Sequence, residues 1–427
     1  MKVLIVGGGG REHALAWKVI QSRHIDELHV APGNPGIGRF AWCHPHVKAA
    51  DIAGQVALAQ KLAADLVIVG PEDPLAEGLV DALQAAGIRA FGPTKAAARI
   101  EASKDFAKEV MMKAGVPTAA YGSFDQYEAA LAYVEMQGAP IVIKADGLAA
   151  GKGVSVCMTL EEARAALREA MLDKAFAEAG ARVVIEEYME GEEVSVLAFC
   201  DGRSIRQMVS AQDHKRIGEG DTGPNTGGMG TYAPVPAYTP EIARTVQKRI
   251  LEPTIAEMAR RGAPFVGCLF TGLMLTKDGP KVVEFNCRFG DPETQVVLPL
   301  LQNDLLEVIT ACLDGRLNEV ELRFAEGAAA NIVLAAPGYP GKYPKGLPID
   351  GLEEADSRGV TVFHAGTDFT EEGELVTAGG RVLGVMATAP DLPAALERAY
   401  YGAEAIIFEG KQYRRDIGWR ALRRPEA

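Results

Sequence analysis

Near its start the chain reads Lys2-Val3-Leu4-Ile5-Val6-Gly7-Gly8-Gly9-Gly10-Arg11-Glu12-His13. The apolar run predicts a short buried strand, the glycines predict a tight turn, and residues 12–22 carry helical periodicity. Beyond this unit a helix is predicted at 76–86, and further strands are predicted at 28–31, 66–69 and 89–91. Strands that alternate with helices form a parallel sheet with crossover connections. Residues 1–102 are therefore predicted to form a Rossmann-like α/β domain.

The glycine turn is suited to bind an anion, because glycine lets the backbone approach a ligand and a helix N-terminus presents free N–H groups. The dinucleotide fingerprint G-x-G-x-x-G fails here, since its third glycine falls on Glu12 or His13. The second strand runs into Pro32-Gly33, without an acidic residue for a ribose. The pattern favours a site for a single phosphate over NAD, and a tight turn without a ligand is the alternative.

Two further units follow along the chain. Residues 103–324 are predicted to hold helices at 104–114 and 160–171, and strands at 141–144, 154–158, 183–187, 194–200, 269–276 and 281–286. The connection at 211–239 is rich in Gly, Pro, Asn and Thr, and a connection of that length is usually functional or disordered. Residues 325–427 form the third unit, with strands at 332–336, 361–364 and 381–388 and a helix at 392–401.

A glycine-rich loop separates two of the predicted strands, and it reads Lys144-Ala145-Asp146-Gly147-Leu148-Ala149-Ala150-Gly151-Lys152-Gly153-Val154. It is not a Walker loop, because Gly153 stands where Ser or Thr would follow the lysine. A flexible glycine loop between strands can close over a triphosphate, with Lys144 and Lys152 supplying positive charge. An ordinary hairpin with solvated lysines is the alternative.

The most informative stretch reads Val282-Val283-Glu284-Phe285-Asn286-Cys287-Arg288-Phe289-Gly290-Asp291-Pro292-Glu293-Thr294-Gln295. Alternate residues of a strand share a face, so Glu284 and Asn286 project together while Val283 and Phe285 pack the other way. Two hard oxygen ligands that leave room for water and phosphate suit Mg²⁺. Arg288 falls on the same side if the strand continues, and can fork to a phosphate or carboxylate. An amphipathic surface strand is the alternative.

Two weaker stretches suggest contacts to the rest of a nucleotide and to a second substrate. The strand ending in Glu186-Glu187-Tyr188 suits a hinge against which an adenine lies, with Glu193 reaching the ribose, although acids at strand ends are commonly just solvated. The run Gln212-Asp213-His214-Lys215 and the glycine-rich stretch 223–230 suit recognition of a sugar or an amino acid. A disordered linker is the alternative for the second stretch.

Composition limits the other possibilities. The 427-residue chain has a formal net charge of −13, which makes it a poor general binder of nucleic acid or anionic membranes. Its 6 cysteines are scattered without C-x-x-C spacing, so a disulfide framework or zinc site is not expected and a reducing cytoplasm is the predicted location. An uncharged apolar stretch of about 18 residues is missing from the sequence, so no membrane span is predicted.

Taken together, these stretches resemble the phosphoribosylamine–glycine ligase (glycinamide ribonucleotide synthetase) family of the ATP-grasp superfamily. The most specific match is 288–295, and 212–215 and 223–230 also fit; Gly8 departs from the pattern, where a polar residue such as Asn is expected. The resemblance covers essentially the whole chain. It implies an N-terminal domain at 1–102, an ATP-grasp domain at 103–324 with a mobile lid at about 120–190, and a small C-terminal α+β domain at 325–427.

The resemblance also implies a chemistry and a set of site residues. Because no protein nucleophile is evident, the glycine carboxylate attacks the γ-phosphate of ATP, and the amine of phosphoribosylamine then attacks the resulting glycyl phosphate. Arg288, Lys144 and Asp213 are the expected catalytic residues. Glu284 and Asn286 hold Mg²⁺ (or Mn²⁺). The nucleotide contacts are Lys104, Lys144, Gly151, Lys152, Gly153, Glu186, Glu187, Tyr188 and Glu193. The substrate contacts are Gly9, Gly10, Arg11, Glu12, Asn34, Pro35, Gly36, Asp213, Lys215, Asn225, Thr226, Gly227, Gly228, Arg288, Asp291 and Glu293.

The expected partners are glycine and phosphoribosylamine, with no nucleic acid and no membrane, and the expected state is a monomeric cytoplasmic enzyme. Three other functions compete with this one. The runner-up is another ATP-grasp carboxylate–amine ligase or carboxylase. A nicotinamide oxidoreductase is disfavoured by the broken fingerprint, and a catalytically silent nucleotide sensor is disfavoured because the metal ligands and Arg288 are present.

We expect the substitution Lys152→Ala to weaken retention of ATP, because the loop then loses a positive charge that faces the triphosphate. Steady-state kinetics with varied ATP measure this as a raised KM. Unchanged KM and kcat would show that the loop is only a hairpin.

Overall fold

The computed structural model describes residues 1–148, 153–173 and 181–423. Residues 1–101 form a sheet of strand order β3-β2-β1-β4-β5 in which all neighbours are parallel. Its strands are β1 (Lys2–Gly7), β2 (Glu27–Pro32), β3 (Trp42–Cys43), β4 (Leu66–Val69) and β5 (Ala90–Phe91). Its helices are α1 (Gly10–Val19), α2 (Ile52–Leu62), α3 (Glu72–Glu77), α4 (Leu79–Ala85) and α5, which reaches Ala102 (Lys95–Ala102). The predicted parallel-sheet domain is confirmed.

The helix predicted at 76–86 is wrong in one respect, because it is two helices. Gly78 takes φ +95°, which ends α3 and starts α4 in a new direction. Helix α6 (Lys104–Ala114) by contrast has the predicted limits. Ser103 accepts a hydrogen bond from the Phe106 N–H and begins the helix, and Gly115 at φ +65° ends it. Both signals are local, so the sequence alone reveals them.

Among its described residues the central region contains two four-stranded antiparallel sheets, of order β6-β9-β7-β8 and β11-β10-β16-β17, and the two-stranded antiparallel hairpin β13-β14. Its strands are β6 (Tyr121–Phe124), β7 (Ile141–Ala145), β8 (Val154–Cys157), β9 (Val183–Glu187), β10 (Glu192–Asp201), β11 (Ile205–Gln207), β12 (Gln212–Asp213), β13 (Arg216–Gly218), β14 (Thr222–Asn225), β15 (Gly230–Ala233), β16 (Val266–Thr276) and β17 (Gly279–Asn286). Its helices are α6, α7 (Tyr127–Gln137), α8 (Leu160–Leu167), α9 (Pro240–Val246), α10 (Glu252–Arg260), α11 (Thr294–Leu300) and α12 (Leu305–Leu313).

The sheet β6-β9-β7-β8 has its own hydrophobic core, which α7 and α8 cover. The core includes Val134, Ile143, Leu167 and Ile185, and it is separate from the clusters that fill the other domains. An independent core is what a subdomain needs in order to move as a unit. This sheet coincides with the predicted lid at about 120–190, and the mobility of the lid stays a prediction.

The strand with the predicted metal ligands carries a bulge that the sequence did not reveal. Gly272 pairs with Glu284 and Leu273 pairs with Val282, so Val283 is the extra residue. The expectation that Val283 packs with Phe285 is therefore wrong: Val282 and Phe285 are buried and Val283 is only half-buried. Beyond the bulge the alternation holds, and Glu284 and Asn286 share the face opposite Phe285.

The C-terminal region shares its main sheet with the connection at 211–239. The strand order is β12-β15-β18-β22-β19, so two strands of the connection pair, directly or through each other, with strands that follow residue 325. The connection is therefore ordered rather than a linker. The elements after residue 325 are β18 (Ala328–Ala335), α13 (Leu352–Ser357), β19 (Thr361–His364), β20 (Thr367–Phe369), β21 (Leu375–Thr377), β22 (Arg381–Ala389), α14 (Leu392–Ala405) and α15 (Trp419–Leu422). Among the described residues, no helix has both the length and the apolar character needed to cross a bilayer.

The N-terminal and C-terminal regions are joined by contacts around residues 34–36. The Asn34 side-chain amide donates to the carbonyl oxygens of Gly8 (2.9 Å) and His364 (2.9 Å), and its oxygen accepts from the Ile37 N–H (3.0 Å). The His364 N–H in turn donates to His13 Nδ1 (2.8 Å). Gly36 lies where a Cβ would meet His364 Cδ2 at 2.4 Å and His13 Cε1 at 2.5 Å. These residues therefore stabilise the interface between the N-terminal and C-terminal regions.

We expect Gly36→Ala to lower the free energy of unfolding by about 1–3 kcal/mol, because two buried imidazole rings must move to admit the methyl group. Denaturant unfolding measures the loss. The matched control is Gly38→Ala, since the nearest atom to a Cβ at Gly38 is Cys43 Sγ at 3.9 Å. Equal stability of the two variants would contradict the close packing at Gly36.

Candidate active site

A buried ion triad lies where the sheet β6-β9-β7-β8, which we call the lid sheet, meets β17; we call this junction the crevice. The Glu186 carboxylate contacts the ammonium groups of Lys144 (2.8 Å) and Lys108 (3.0 Å), and all three side chains are almost fully buried. Lys144 Nζ also donates to the Val283 carbonyl (3.0 Å), which the β17 bulge presents. Burial lowers the pKa of Lys108, and the charge of Glu186 opposes that shift. The Glu186 carboxylate is therefore bound by two lysines. The sequence analysis identified Lys144 but missed Lys108.

Lys104, at the start of α6, is tied to the beginning of the glycine-rich loop. Its Nζ donates to the Gly147 carbonyl (2.8 Å), and its backbone N–H donates to Asp146 Oδ1 (2.6 Å). Burial lowers the Lys104 pKa, and the nearby Glu284 charge opposes that shift. At the far end of the loop the Gly153 carbonyl accepts from the Ala145 N–H (2.8 Å). The predicted contacts Gly151 and Lys152 lie outside the described residues.

Glu284 is surrounded by cations. Burial raises its pKa, but Lys215, Lys144 and Lys104 outweigh burial and hold the pKa below its usual value. Among the described residues, neither the Glu284 carboxylate nor the Asn286 amide forms a hydrogen bond, so their oxygens stay available on one face of β17. Both oxygens are hard donors of the type that Mg²⁺ prefers. The pair therefore suits a divalent cation whose remaining ligands come from elsewhere.

The predicted adenine hinge divides into a buried and an exposed part. Glu187 pairs with Lys281 (3.2 Å) at the surface, and Tyr188 is 37% exposed. Glu193, on β10, contacts Lys215 Nζ at 3.1 Å, and this contact is the main cause that raises the Lys215 pKa. Exposed Glu187 and Tyr188 thus flank the crevice, while Glu186 lies beneath it.

Arg288 is held by two carboxylates that the sequence analysis missed. Strand β17 ends at Asn286, so Arg288 does not continue its face; Nε contacts Glu72 (3.0 Å) and Nη2 contacts Glu101 (2.8 Å). Burial raises the Glu72 pKa, but Arg288 and Arg11 outweigh it and bring the pKa to about 2. The orientation of the Arg288 guanidinium is therefore fixed by Glu72, at the start of α3, and by Glu101, near the end of α5. No local signal pointed to Glu72 or Glu101, because they lie 216 and 187 residues away in sequence.

The glycine turn after β1 accommodates a buried carboxylate. Glu12 Oε2 accepts from the Gly9 N–H (2.7 Å), and Oε1 contacts Arg11 Nε (2.6 Å). A Cβ at Gly7 would lie 2.5 Å from Glu12 Cγ, so the glycine is needed to make room for this side chain. The expectation of a turn with freely presented N–H groups is wrong for Gly9. The first-turn N–H groups of residues 10–12 are the donors that a helix leaves without intrahelical partners.

Asp291 connects the turn to the C-terminal region. Its carboxylate contacts Arg381 Nη2 (3.3 Å) and accepts from Gln295 Nε2 (2.8 Å). Burial raises the Asp291 pKa, but Arg381 and then Arg11 outweigh burial and lower it. Arg381 Nη1 also donates to the Asp291 carbonyl (2.9 Å) and approaches the Gly227 carbonyl (2.6 Å). Arg381 begins β22, and the sequence analysis missed it.

The segment 213–228, which we call the substrate loop, is closed at its root by its own hydrogen bonds. The Thr226 N–H and hydroxyl both donate to the Lys215 carbonyl (2.7 and 2.8 Å), and the Gly228 N–H donates to Thr226 Oγ1 (2.9 Å). The Gly227 N–H donates to the Tyr339 hydroxyl (2.9 Å). Gly228, at φ +113°, lies where a Cβ would meet Asp213 Oδ1 at 2.6 Å. Asn225, the last residue of β14, pairs with Arg216.

The carboxyl groups of Asp213 and Glu293 lie close enough to interact electrostatically; Glu293 is buried, and Asp213 is half-buried with its Oδ1 atom out of contact with solvent. Glu293 Oε1 accepts from Ser195 Oγ (3.0 Å), whereas Asp213 Oδ1 has no hydrogen-bond partner within 1–148, 153–173 and 181–423. Burial, and then the charge of Glu293, raises the Asp213 pKa well above its usual value, against the opposing effects of Lys215 and Arg381. Burial likewise raises the Glu293 pKa. An unsatisfied buried acceptor with a raised pKa is typical of a functional site.

We expect Asp213→Asn to raise the free energy of unfolding at pH 7 by about 1–2 kcal/mol. The folded protein holds the Asp213 proton more tightly than the unfolded chain, so ionisation costs stability as the pH rises from the usual pKa of 3.8 through the raised one. The gain in the variant should therefore vanish below about pH 3.

Denaturant unfolding across pH tests this, with the exposed Asp368→Asn as the control. A gain that does not depend on pH would contradict the raised pKa of Asp213.

Comparisons with known proteins agree with this arrangement. Phosphoribosylglycinamide synthetase models match residues 1–101 (N domain), 102–294 (ATP-grasp domain) and 329–420 (C domain). A phosphoribosylamine–glycine ligase of Vibrio vulnificus (strain CMCP6) is 51% identical over 428 residues, covering 100% of both chains. The crystal structure of the Thermotoga maritima phosphoribosylamine–glycine ligase superposes with a TM-score of 0.83 at 35% identity, covering 98% of this chain and 100% of that one.

A more distant neighbour shows the fold alone. The biotin carboxylase domain of the Hydrogenobacter thermophilus 2-oxoglutarate carboxylase, solved with magnesium ADP, has a TM-score of 0.72 at 18% identity and covers 96% of this chain and 91% of that one. The mixed α/β fold and the resemblance inferred from the sequence are both confirmed. From its full-length matches, the chain belongs to the phosphoribosylglycinamide synthetase family.

Proposed function

We propose that this chain uses ATP to join glycine to phosphoribosylamine, giving glycinamide ribonucleotide, ADP and phosphate. The observation that carries the proposal is the face of β17 where Glu284 and Asn286 lie without a hydrogen bond among the described residues, next to Lys144, whose Nζ donates to the adjoining Val283 carbonyl (3.0 Å). A carboxylate for a metal beside ammonium groups for phosphates is the set that phosphoryl transfer needs. The family membership, together with relatives named for this reaction, disfavours another carboxylate–amine ligase or a carboxylase.

Glu284 and Asn286 are the proposed ligands of the divalent cation, and Mg²⁺ is the proposed ion because both donors are oxygens. Bound there, the ion supplies charge neutralisation at the phosphate oxygens. The chain's own part is to keep Glu284 ionised, which the surrounding ammonium groups do. The bulge before Glu284 supports this role, since it turns the Val283 carbonyl toward Lys144 and leaves the Glu284 carboxylate free.

Lys104, Lys144 and Lys152 are the proposed contacts to the ATP phosphates, with Gly151 and Gly153 in the closing loop. Glu186 acts on Lys144 rather than on the nucleotide, because its carboxylate is buried between two lysines. The backbone around Glu187 and Tyr188 is the proposed contact to the adenine base. The Glu193 carboxylate is the proposed contact to the ribose hydroxyls.

The proposed reaction has two steps. A glycine carboxylate oxygen attacks the γ-phosphorus, the bond from that phosphorus to the bridging oxygen breaks, and ADP leaves. The amine of phosphoribosylamine then attacks the acyl carbon of glycyl phosphate, and phosphate leaves while the amine loses a proton. Asp213 is the proposed acceptor of that proton, because its Oδ1 has no hydrogen-bond partner among the described residues and burial raises its pKa, so that it holds a proton more tightly than an ordinary carboxyl group. Arg288, aimed by Glu72 and Glu101, steadies the acyl phosphate.

The ribose phosphate is proposed to bind at the N-terminus of α1. The donors there are the backbone N–H groups of residues 10–12, because the Gly9 N–H and the side chains of Arg11, Glu12 and Asn34 are bound within the protein. Pro35 and Gly36 complete the adjoining wall. The substrate loop, with Lys215 and residues 225–228, and the residues Asp291 and Glu293 close the pocket from the other side.

We expect Glu284→Ala to abolish glycine-dependent release of ADP, by at least about 10²-fold, because the metal loses its anionic ligand. The fold should persist, since Glu284 lies on the crevice face of β17 and not in the core. A coupled ADP assay measures the loss, with glycine and freshly made phosphoribosylamine each withheld in turn. The matched control is Asp278→Ala, an exposed acid in the turn before β17. Near-normal turnover of the Glu284 variant would remove the metal assignment, and ADP release without glycine would point to a different acid.

A further inference from the structure

The C-terminal segment beyond α14 contains a buried arginine that has no part in the chemistry described above. The Arg414 side chain is 1% exposed. Its guanidinium makes a two-pronged contact with Asp416 (Nε–Oδ1 2.8 Å, Nη2–Oδ2 2.8 Å). Burying a guanidinium costs free energy unless its donors are satisfied, so the partners of Arg414 show which parts of the chain it holds together.

The remaining donors of Arg414 reach the substrate loop. Nη1 contacts the Arg216 carbonyl (3.1 Å) and Asp221 Oδ1 (2.9 Å), nearly 200 residues earlier in sequence. Asp221 also forms an ion pair with Arg420. Asp221 lies at the tip of the β13–β14 hairpin, and its backbone has φ +58°. The Gly220 N–H beside it donates to Asp416 Oδ2 (2.8 Å). The hairpin is therefore bound along its tip and one strand by the C-terminal segment.

A further contact from the C-terminal segment reaches His214, which lies between the proposed site residues Asp213 and Lys215 in sequence. The Gly418 N–H donates to His214 Nε2 (3.1 Å), and His214 Nδ1 contacts the Gly230 carbonyl (3.1 Å). A carbonyl only accepts, so Nδ1 carries the proton and Nε2 is free to accept. His214 stands between Asp213 and Lys215, and its ring is thereby fixed from the C-terminal segment.

We propose that Arg414, Asp416, Gly418 and Arg420, which we call the tail clamp, position the substrate loop for the two small substrates. The hairpin needs such support, because its strands are short, β13 is only half-buried and β14 is mostly exposed, and an isolated two-stranded hairpin is marginal in water. Lys215 and Asn225 stand at its root, so a loosened hairpin displaces the groups that line the pocket. Lys104 and Lys144, the proposed phosphate contacts on α6 and β7, bind Gly147, Val283 and Glu186 and, within the described part of the chain, have no hydrogen bond or ion pair to the tail clamp. This proposal rests on the proposed function for the identity of the substrates.

The test is Asp221→Asn, which removes the charge that both arginines grip while keeping the shape of the side chain. Asp221 lies at the partly exposed hairpin tip, so the rest of the chain should fold normally. We expect protection from hydrogen exchange to fall about tenfold for the Thr226 and Met229 amides, which close the root of the loop. We expect KM for glycine and phosphoribosylamine to rise about tenfold, with KM for ATP unchanged.

The matched control is Asp314→Asn, because Asp314 also pairs with two arginines, Arg89 and Arg316, away from the substrate loop. The control should leave exchange in 214–229 and all three KM values unchanged. Unaltered exchange in the Asp221 variant would overturn the tail clamp whatever the enzyme does. Faster exchange with unchanged KM values, or a KM for ATP that rises equally, would overturn its positioning role. If the unsubstituted chain did not ligate glycine, the proposed function would fail, and exchange would still decide whether the clamp holds the loop.

Discussion

The arrangement of the crevice depends on a single carboxylate, Glu186, buried between Lys108 and Lys144. Removing three charged groups from water is expensive, and the cost is offset only when each charge meets an opposite one at hydrogen-bonding distance. One carboxylate between two ammonium groups leaves a net positive charge at the floor of the crevice. Since this triad links α6, β7 and β9, it joins the lid sheet to the helix that carries Lys104. A polyanion such as a triphosphate is the natural complement of such a floor.

The same balancing of charge joins the domains to one another. Arg11 of the first domain lies near Glu72, Glu72 holds Arg288 of the central domain, and Arg288 holds Glu101. Asp291 of the central region likewise pairs with Arg381 of the last region. The charges of Glu101, Arg288 and Asp291 are therefore compensated by residues of a neighbouring region, so this arrangement exists only in the assembled chain.

Asp213 is the exception to this balance. Its Oδ1 finds no partner among the described residues, and Glu293 places a second carboxyl group beside it. Ordinary stability would favour an amide at this position, because a neutral group avoids both the burial cost and the repulsion. Such a costly group fits the proposed role of Asp213, because active sites commonly give up stability for reactivity.

The sequence by itself determined the parallel sheet of the first domain, the limits of α6 and the shared face of Glu284 and Asn286, and its resemblance indicated the family. These features depend on periodicity, capping residues and glycines, which act over a few neighbouring positions. Only the tertiary structure decided that Arg288 is held by Glu72 and Glu101, that Lys108 pairs with Glu186 and Arg381 with Asp291, and that Glu12 fills the glycine turn. The partners of Arg288 lie 216 and 187 residues from it, and those of Arg414 nearly 200. Contacts of that kind follow from how the domains pack, and no local pattern in a chain records which distant charge will neutralise another.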